Sequence, residues 1–264
     1  MLSGIGPKDQ LEEFGIPVIQ DMPGVGQNLM NHLSAQVTFK VKDGLSLHGD
    51  MDAIHFGLHY TAEGSTEVND MLLRTTPMVD ERPERVPGLR TKFLNDGIPA
   101  DRVARLSVTL GLPDGSGYVR LASSDPSVQP TFNYQYLQHP NDKRRVRDGI
   151  RKAAAFLESD AYKDVCDQRL HPIDDILNDD DALDRYISQT VGTARHVSGT
   201  CKMGPDSDPT AVVDQYCSVK GVAGLSVVDA SIKPKITRSG GSHATVLMMA
   251  ERAVEFVART LARV

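Results

Sequence analysis

The feature that most constrains this chain is a pair of histidines in its last quarter, each in a segment rich in small residues. His196 precedes Val197, Ser198 and Gly199, and His243 follows the segment 239–242, which contains only Ser and Gly. Small residues beside a histidine let backbone and a flat ligand approach closely. A long helical pattern begins directly after His243, which places that imidazole at a helix N-terminus, where an anionic or electron-accepting group is favoured. The two loops indicate chemistry on a group that gains negative charge.

Composition narrows the class of protein. The chain has 264 residues with 40% hydrophobic and 24% charged content, which is ordinary for a globular protein. A net charge of −6 argues against a nucleic-acid partner, and no apolar stretch is long enough for a transmembrane helix. Cys166, Cys201 and Cys217 are odd in number and widely spaced, so they predict neither a disulfide framework nor a zinc site. We therefore expect a reducing compartment and a cytoplasmic location.

Other motifs point away from common alternatives. His55 and His59 have helical spacing but no HExxH pattern, so we expect no metal. No Gly-x-Ser-x-Gly elbow supplies a hydrolase nucleophile. The pairs Gly4/Gly6, Gly24/Gly26 and Gly115/Gly117 lack a third glycine at the required spacing. None of them is a dinucleotide-binding fingerprint.

Periodicity and turn residues predict mixed helices and strands. The predicted helices cover 7–14, 142–159, 179–189 and a terminal segment from about 242. The predicted strands cover 35–41, 106–110, 118–121 and 226–229, with 106–110 and 118–121 forming a hairpin. The segment 76–99 is predicted to be a long irregular loop, of the kind that often covers a binding site.

Several of these segments together resemble a known family. The run from His196 to Gly204, the segment 221–231 and the terminal helix are similar to the carboxyl-terminal signature of the glucose–methanol–choline (GMC) flavin oxidoreductases. The segments 2–7, 15–18 and 23–32 resemble that family's mid-chain signature, although Asn31 stands where the family usually has Asp, and 117–126 fits as well. Members run to roughly twice this length and begin with the glycine-rich FAD-binding turn, so the resemblance implies the carboxyl-terminal half of such an enzyme.

The resemblance implies an α+β fold. An antiparallel-sheet substrate domain would be inserted between the remaining pieces of an α/β FAD-binding domain, whose N-terminal Rossmann part is absent. We place boundaries near residues 33 and 190. This gives a residual FAD-domain segment (1–33), a substrate-binding domain (34–190) and a carboxyl-terminal FAD-domain and catalytic segment (191–264).

The resemblance also implies FAD-dependent oxidation of an alcohol to a carbonyl. His196 would be the base that accepts the hydroxyl proton, and His243 would act on the other side of the alkoxide as hydrogen-bond donor or base. The residues implied to contact FAD are Asp229, Ala230, Ala244, Thr245 and Val246. Asn28 and His32 are as well explained by a loop-fixing role as by contact with cofactor or substrate.

Two alternatives stay open. The family includes hydroxynitrile lyases, which bind flavin without hydride transfer as their reaction, and a chain lacking the phosphate-binding half is also compatible with a non-catalytic remnant. We expect the chain alone to bind FAD weakly or not at all and to be inactive. The expected partners are a small-molecule alcohol and the missing N-terminal FAD-binding half.

Overall fold

The computed structural model describes residues 1–45, 47, 57–77, 98–238 and 242–261. The helices are α1 (Lys8–Glu13), α2 (Pro140–Leu157), α3 (Asp174–Leu177), α4 (Asp180–Thr190) and α5 (His243–Leu261). The strands are β1 (Ile5–Gly6), β2 (Gln20–Asp21), β3 (Leu33–Val41), β4 (Gly57–Tyr60), β5 (Met71–Pro77), β6 (Val103–Leu110), β7 (Tyr118–Arg120), β8 (Thr131–Asn133), β9 (Cys166–His171) and β10 (Gly192–Thr193). His55 and residues 78–97 of the expected loop lie outside the described residues.

The chain divides into two units, and the fold class is α+β, as predicted. Unit 1 comprises residues 1–32, 113–138 and 195–264, and unit 2 comprises 33–112 and 139–194. The division differs from the expected one at 113–138, which belongs with the terminal segments. The reason is hydrogen bonding: Gly117 and Leu29 exchange backbone bonds, and Val119 donates to the carbonyl of Gly26.

Unit 2 is built on an antiparallel sheet. Its strand order is β10-β3-β6-β5-β4, and β9 also pairs with β3. The expected apolar face of β3, consisting of Val37, Phe39 and Val41, is buried. On the opposite face Gln36 and Lys40 are partly exposed, whereas Thr38 is fully buried. The alternation expected for this strand is therefore confirmed except at Thr38, which is buried on the more polar face.

Helix α2 covers one part of this sheet. Its predicted apolar face, consisting of Val146, Ile150, Ala154 and Leu157, is buried as expected. A Cβ atom on Gly149 would lie 2.5 Å from the Val108 side chain of β6, so the glycine allows the helix to approach the sheet closely.

A buried ion network joins α2 to the loop before β5. The Arg145 guanidinium donates to Asp70 Oδ2 at 2.8 Å and to Asp142 Oδ1 at 2.6 Å, and all three side chains are buried. Asp70 also accepts hydrogen bonds from the Ala62 backbone and the Ser65 hydroxyl. The network therefore connects α2 to the loop before β5 through buried charged groups.

The expected hairpin between 106–110 and 118–121 is wrong. Strand β6 is already paired along both edges, with β3 and β5, so it has no edge left for the following strand. Strand β7 instead pairs with β8, in the register Tyr118↔Asn133 and Arg120↔Thr131.

Unit 1 consists mostly of loops around a small apolar cluster. The buried members are Met22, Val212, Val213, Cys217, Val219, Ile232 and Ala253 of α5. The expected strand at 226–229 does not form: Ser226 makes one isolated bridge with Ser218, and Asp229 then begins a 3-10 turn. Val227 and Val228 pack against the cluster without a neighbouring ladder, so their β-branched character serves burial.

Within the described part of the chain, no helix combines the length and apolar character needed to cross a bilayer.

Candidate active site

The histidine loop, residues 195–200, is fixed by backbone bonds to two other segments of unit 1. Ser198 and Met30 exchange both of their backbone hydrogen bonds at 2.9 Å. The Gly199 N–H donates to the carbonyl of Ala230 at 3.2 Å. The loop is therefore held between the segment that contains His32 and the turn that contains Ala230.

Gly199 shows why the loop needs a small residue. Its φ of +94° lies in the left-handed region, and an added Cβ would be 2.3 Å from the carbonyl oxygen of Asn28. Only glycine combines this backbone conformation with such a close approach. The Asn28 side chain in turn donates to the carbonyl of Gly199 at 3.3 Å.

His196 contacts a second histidine, His32. Their Nδ1 atoms lie 2.8 Å apart, and the rings meet edge to face with centroids 5.0 Å apart. His32 is 0% exposed, and its Nε2 lies 2.8 Å from the carbonyl oxygen of Thr237. His196 is partly exposed, so a partly exposed imidazole contacts a fully buried one.

Asn31 holds the backbone of His196. Its side-chain oxygen accepts the His196 N–H at 2.8 Å, and Asn31 is only 3% exposed. The departure from the family's usual Asp thus falls on a residue in direct contact with the candidate base, and the amide supplies the same acceptor without a negative charge.

His243 is the first residue of α5, as the sequence predicts, and it is exposed. Residues 239–241, just before it, lie outside the described part of the chain. That His196 and His243 reach one substrate oxygen stays a prediction.

The first turn of α5 contains the other residues expected near a flavin. Ala244 is exposed and Thr245 is partly buried. The Thr245 hydroxyl donates to the Ser242 carbonyl at 2.7 Å. The Val246 N–H also donates to that carbonyl, at 2.9 Å, so it is already bonded within the chain.

Asp229 and Ala230 form a tight turn. Asp229 Oδ1 accepts the Ser231 N–H at 2.7 Å, which caps the 3-10 turn, and Asp229 is exposed. Asp229 therefore has a structural role as the cap of this turn. Through the Gly199 bond to its carbonyl, Ala230 is also linked to the histidine loop.

Sequence reasoning missed one buried cation beside this turn. Lys233 is 4% exposed, and its Nζ donates to the Thr245 hydroxyl at 3.0 Å. Burial lowers the pKa of the Lys233 ammonium. No sequence signal marked it, because a lone lysine in a Pro-containing segment is normally exposed.

Comparison with known proteins identifies the family. The family model described as GMC oxidoreductase matches residues 113–250. The chain belongs to the GMC oxidoreductase family. The matched range contains His196, His243 and the Asp229–Ala230 turn.

Relatives of this GMC chain include named dehydrogenases and a solved oxidase. It is 32% identical over 269 residues to an oxygen-dependent choline dehydrogenase of Photobacterium profundum, covering 97% of this chain and 47% of that protein. It is 31% identical to the mitochondrial choline dehydrogenase of Mus musculus, covering 97% and 45%. The crystal structure of pyridoxine 4-oxidase from Mesorbium loti superposes with a TM-score of 0.81 at 27% identity, over 96% of this chain and 47% of that one. The chain thus spans about half the length of the relatives it matches.

Proposed function

We propose that this chain provides the catalytic histidines of an FAD-dependent enzyme that oxidises the CH–OH group of an alcohol to a carbonyl. The observation that carries the proposal is the contact between partly exposed His196 and fully buried His32 at 2.8 Å. It places a well-supported imidazole on a loop that the sequence resemblance independently marks as catalytic.

The proposed reaction begins with proton removal. A neutral imidazole titrates near neutral pH and suits a general base, so His196 takes the hydroxyl proton. His243, exposed at the start of α5, would donate a hydrogen bond to the alkoxide or act as a second base. The positive end of the 19-residue helix α5 favours negative charge at that point.

The residues expected to hold FAD fit such a group on one side. Ala230 has no bulk beyond Cβ, Asp229 and Ala244 are exposed, and Thr245 and Val246 are partly exposed, so this surface is open to a flat ring. When bound, FAD would accept the hydride from the carbinol carbon at N5. The inserted substrate domain belongs to the same proposal, with residues 113–138 of the expected range 34–190 assigned to unit 1.

We propose that the other wall of the site is a polypeptide corresponding to the FAD-binding half of the relatives. Helix α5 exposes Leu247, Met248 and Val254 by 54–64%. Beside them is an open apolar hollow of about 380 Å³ lined by Val228 and α5 residues, including Val254 and Val257. Exposed apolar area of this kind marks a surface that another polypeptide covers.

Reconstitution tests the proposal. The chain would be co-expressed with a segment from the same locus that encodes a Gly-x-Gly-x-x-Gly strand–turn–helix. The complex should be yellow, whereas the chain alone should bind little FAD. His196→Ala in the complex should lower alcohol turnover far more than flavin content, and His59→Ala, at an exposed position of β4, serves as control.

The substrate test uses flavin absorbance. Choline and pyridoxine, which appear in the names of the relatives above, would be tested as substrates together with simple primary and secondary alcohols. Bleaching of the flavin on anaerobic addition of one of them supports oxidation. A complex that binds flavin, cleaves a hydroxynitrile and is not bleached by any alcohol would favour the lyase alternative. A chain that is monomeric, well dispersed and saturated with FAD by itself would contradict the need for a second half.

A further inference from the structure

The contact between the two histidines lies beside a backbone bridge. Met30 and Ser198 form an antiparallel bridge. His32 lies two residues after Met30, and His196 lies two residues before Ser198, so the bridge brings the two segments together close to both histidines.

The direction of the hydrogen bonds follows from the one partner that can only accept. The carbonyl oxygen of Thr237 has no hydrogen, so His32 Nε2 must donate to it across 2.8 Å. A neutral His32 then has its lone pair on Nδ1. That atom must accept a hydrogen from His196 Nδ1, because the two lie 2.8 Å apart.

Burial favours a neutral His32. The residue is 0% exposed, and removal from water disfavours the imidazolium. Its chain neighbour Asn31 is also buried and is a neutral amide where the related signature usually has a carboxylate.

We propose that His32 is a positioning residue that fixes the hydrogen of His196 on Nδ1 and so makes Nε2 the proton-accepting atom. This inference rests on the proposed function only in giving Nε2 a substrate. When an alcohol proton transfers, the O–H bond breaks, an Nε2–H bond forms, and the Nδ1–H stays in place. The resulting imidazolium donates to His32 through a charge-assisted bond, which is stronger than the neutral one.

The direct test is nitrogen-15 NMR on the full chain labelled at histidine. Magic-angle-spinning spectra can be recorded whether the protein is dispersed or precipitated, and His196→Gln assigns the signals. We expect a protonated Nδ1 and an unprotonated Nε2 on His196. A hydrogen on Nε2 of His196 in the wild-type chain, or an imidazolium at His32, would overturn the proposal.

Two variants separate positioning from simple structural support. His32→Leu removes the acceptor and should shift the His196 signals toward a mixture of tautomers. His32→Asn places an amide oxygen near the position of Nδ1 and should retain most of the Nδ1–H form. Unchanged His196 signals in a folded His32→Leu would contradict the proposal, and if that variant does not fold, the wild-type and His32→Asn spectra decide.

Turnover in the reconstituted complex gives a second readout. His32→Leu should lower kcat by about 10- to 100-fold with flavin content unchanged, the range seen for residues that orient metal-binding histidines through their second ring nitrogen. His32→Asn should recover part of that loss. If the tautomer is as proposed but no alcohol reduces the flavin, the proposed function fails while the role of His32 stands.

Discussion

The side-chain oxygen of Asn31 accepts the backbone N–H of His196 at 2.8 Å, so a residue near the amino terminus holds the backbone of the histidine loop. The bond lies next to the Met30–Ser198 bridge and beside the contact between the two histidines. Three neighbouring residues therefore hold the histidine loop. Met30 binds the Ser198 backbone, Asn31 binds the His196 N–H, and His32 contacts the His196 ring.

Replacing Asn31 should loosen this loop in a chemically specific way. Asn31→Ala leaves the part-buried His196 N–H without its acceptor, and the expected loss is about 1–3 kcal/mol in the free energy of unfolding. Asn31→Asp keeps an acceptor oxygen and should lose less at neutral pH. Urea denaturation and hydrogen exchange at the His196 amide measure the effect. Equal losses in the two variants would show that the acceptor oxygen does not matter.

Gly199→Ala should disturb the same loop through its backbone. The new Cβ would lie 2.3 Å from the Asn28 carbonyl at a φ of +94°, so both strain and a clash arise. Gly224→Ala is the matched control, because Gly224 also has a positive φ, +74°, but nothing lies within 4 Å of its Cβ position.

The expected loss is about 1 kcal/mol for Gly224→Ala, from backbone conformation alone, and at least about 1–2 kcal/mol more for Gly199→Ala. Thermal denaturation gives the comparison. Gly199→Ala should also shift the histidine NMR signals of His196, and Gly224→Ala should not. Similar behaviour of the two variants would mean that the approach to Asn28 is easily relaxed.

The parts of the fold that sequence predicted are those set by local patterns. The predicted bounds of helix α2 lie within two residues of the observed ones at each end, because its apolar stripe is a local signal. Helix α5 begins at His243 for the same reason. The predicted hairpin between 106–110 and 118–121 does not form, because a strand can pair only along an edge that no other strand occupies. That information lies far away in the chain, at β3 and β5.

The candidate site divides in the same way. His196 and the turn at Asp229 and Ala230 stand in recognisable local motifs. The contact of His196 with His32 spans 164 positions, and no spacing rule connects them. The bridge between Met30 and Ser198 supplies the missing link, and it forms only when the tertiary fold brings the two segments together.

Removing Arg145 should destabilise unit 2 strongly. In Arg145→Met, the carboxylates of Asp70 and Asp142 would remain buried without their shared cation, and breaking such a pair costs about 3–5 kcal/mol. Arg144→Met is the control: Arg144 pairs with Asp148 at 3.1 Å, but both side chains are 37% exposed, and exposed pairs contribute about 0–1 kcal/mol. Denaturant unfolding followed by circular dichroism distinguishes them. Comparable small losses would show that the buried carboxylates become protonated or reach water.

Acid should weaken unit 2 through Asp70. Burial raises the pKa of this carboxyl, but the Ala62 N–H, Arg145 and Ser65 together outweigh it and hold the folded pKa below the ordinary value of about 3.8. The stabilisation is therefore fully present above about pH 3.8 and is lost as pH falls through the folded pKa. Asp70→Asn should be less stable at neutral pH and should show a shallower decline in acid. A decline as steep as in the wild type would mean that other carboxyls cause it.

Charge placed on the exposed face of α5 should prevent assembly with the proposed FAD-binding half. Val254 is 64% exposed, so Val254→Lys has room in the isolated chain and should leave its unfolding free energy nearly unchanged. In the complex it would bury an unpaired ammonium against apolar surface, which is unfavourable by several kcal/mol.

Glu251→Gln is the control, because it changes the net charge by the same amount at another exposed position of the helix. The yield of yellow complex should fall at least about 10-fold for Val254→Lys, as expected for a loss of about 1.4 kcal/mol or more, and stay near wild type for Glu251→Gln. Val254→Lys should also lower binding of a hydrophobic dye to the isolated chain. Normal flavin incorporation by Val254→Lys would show that the partner covers a different surface.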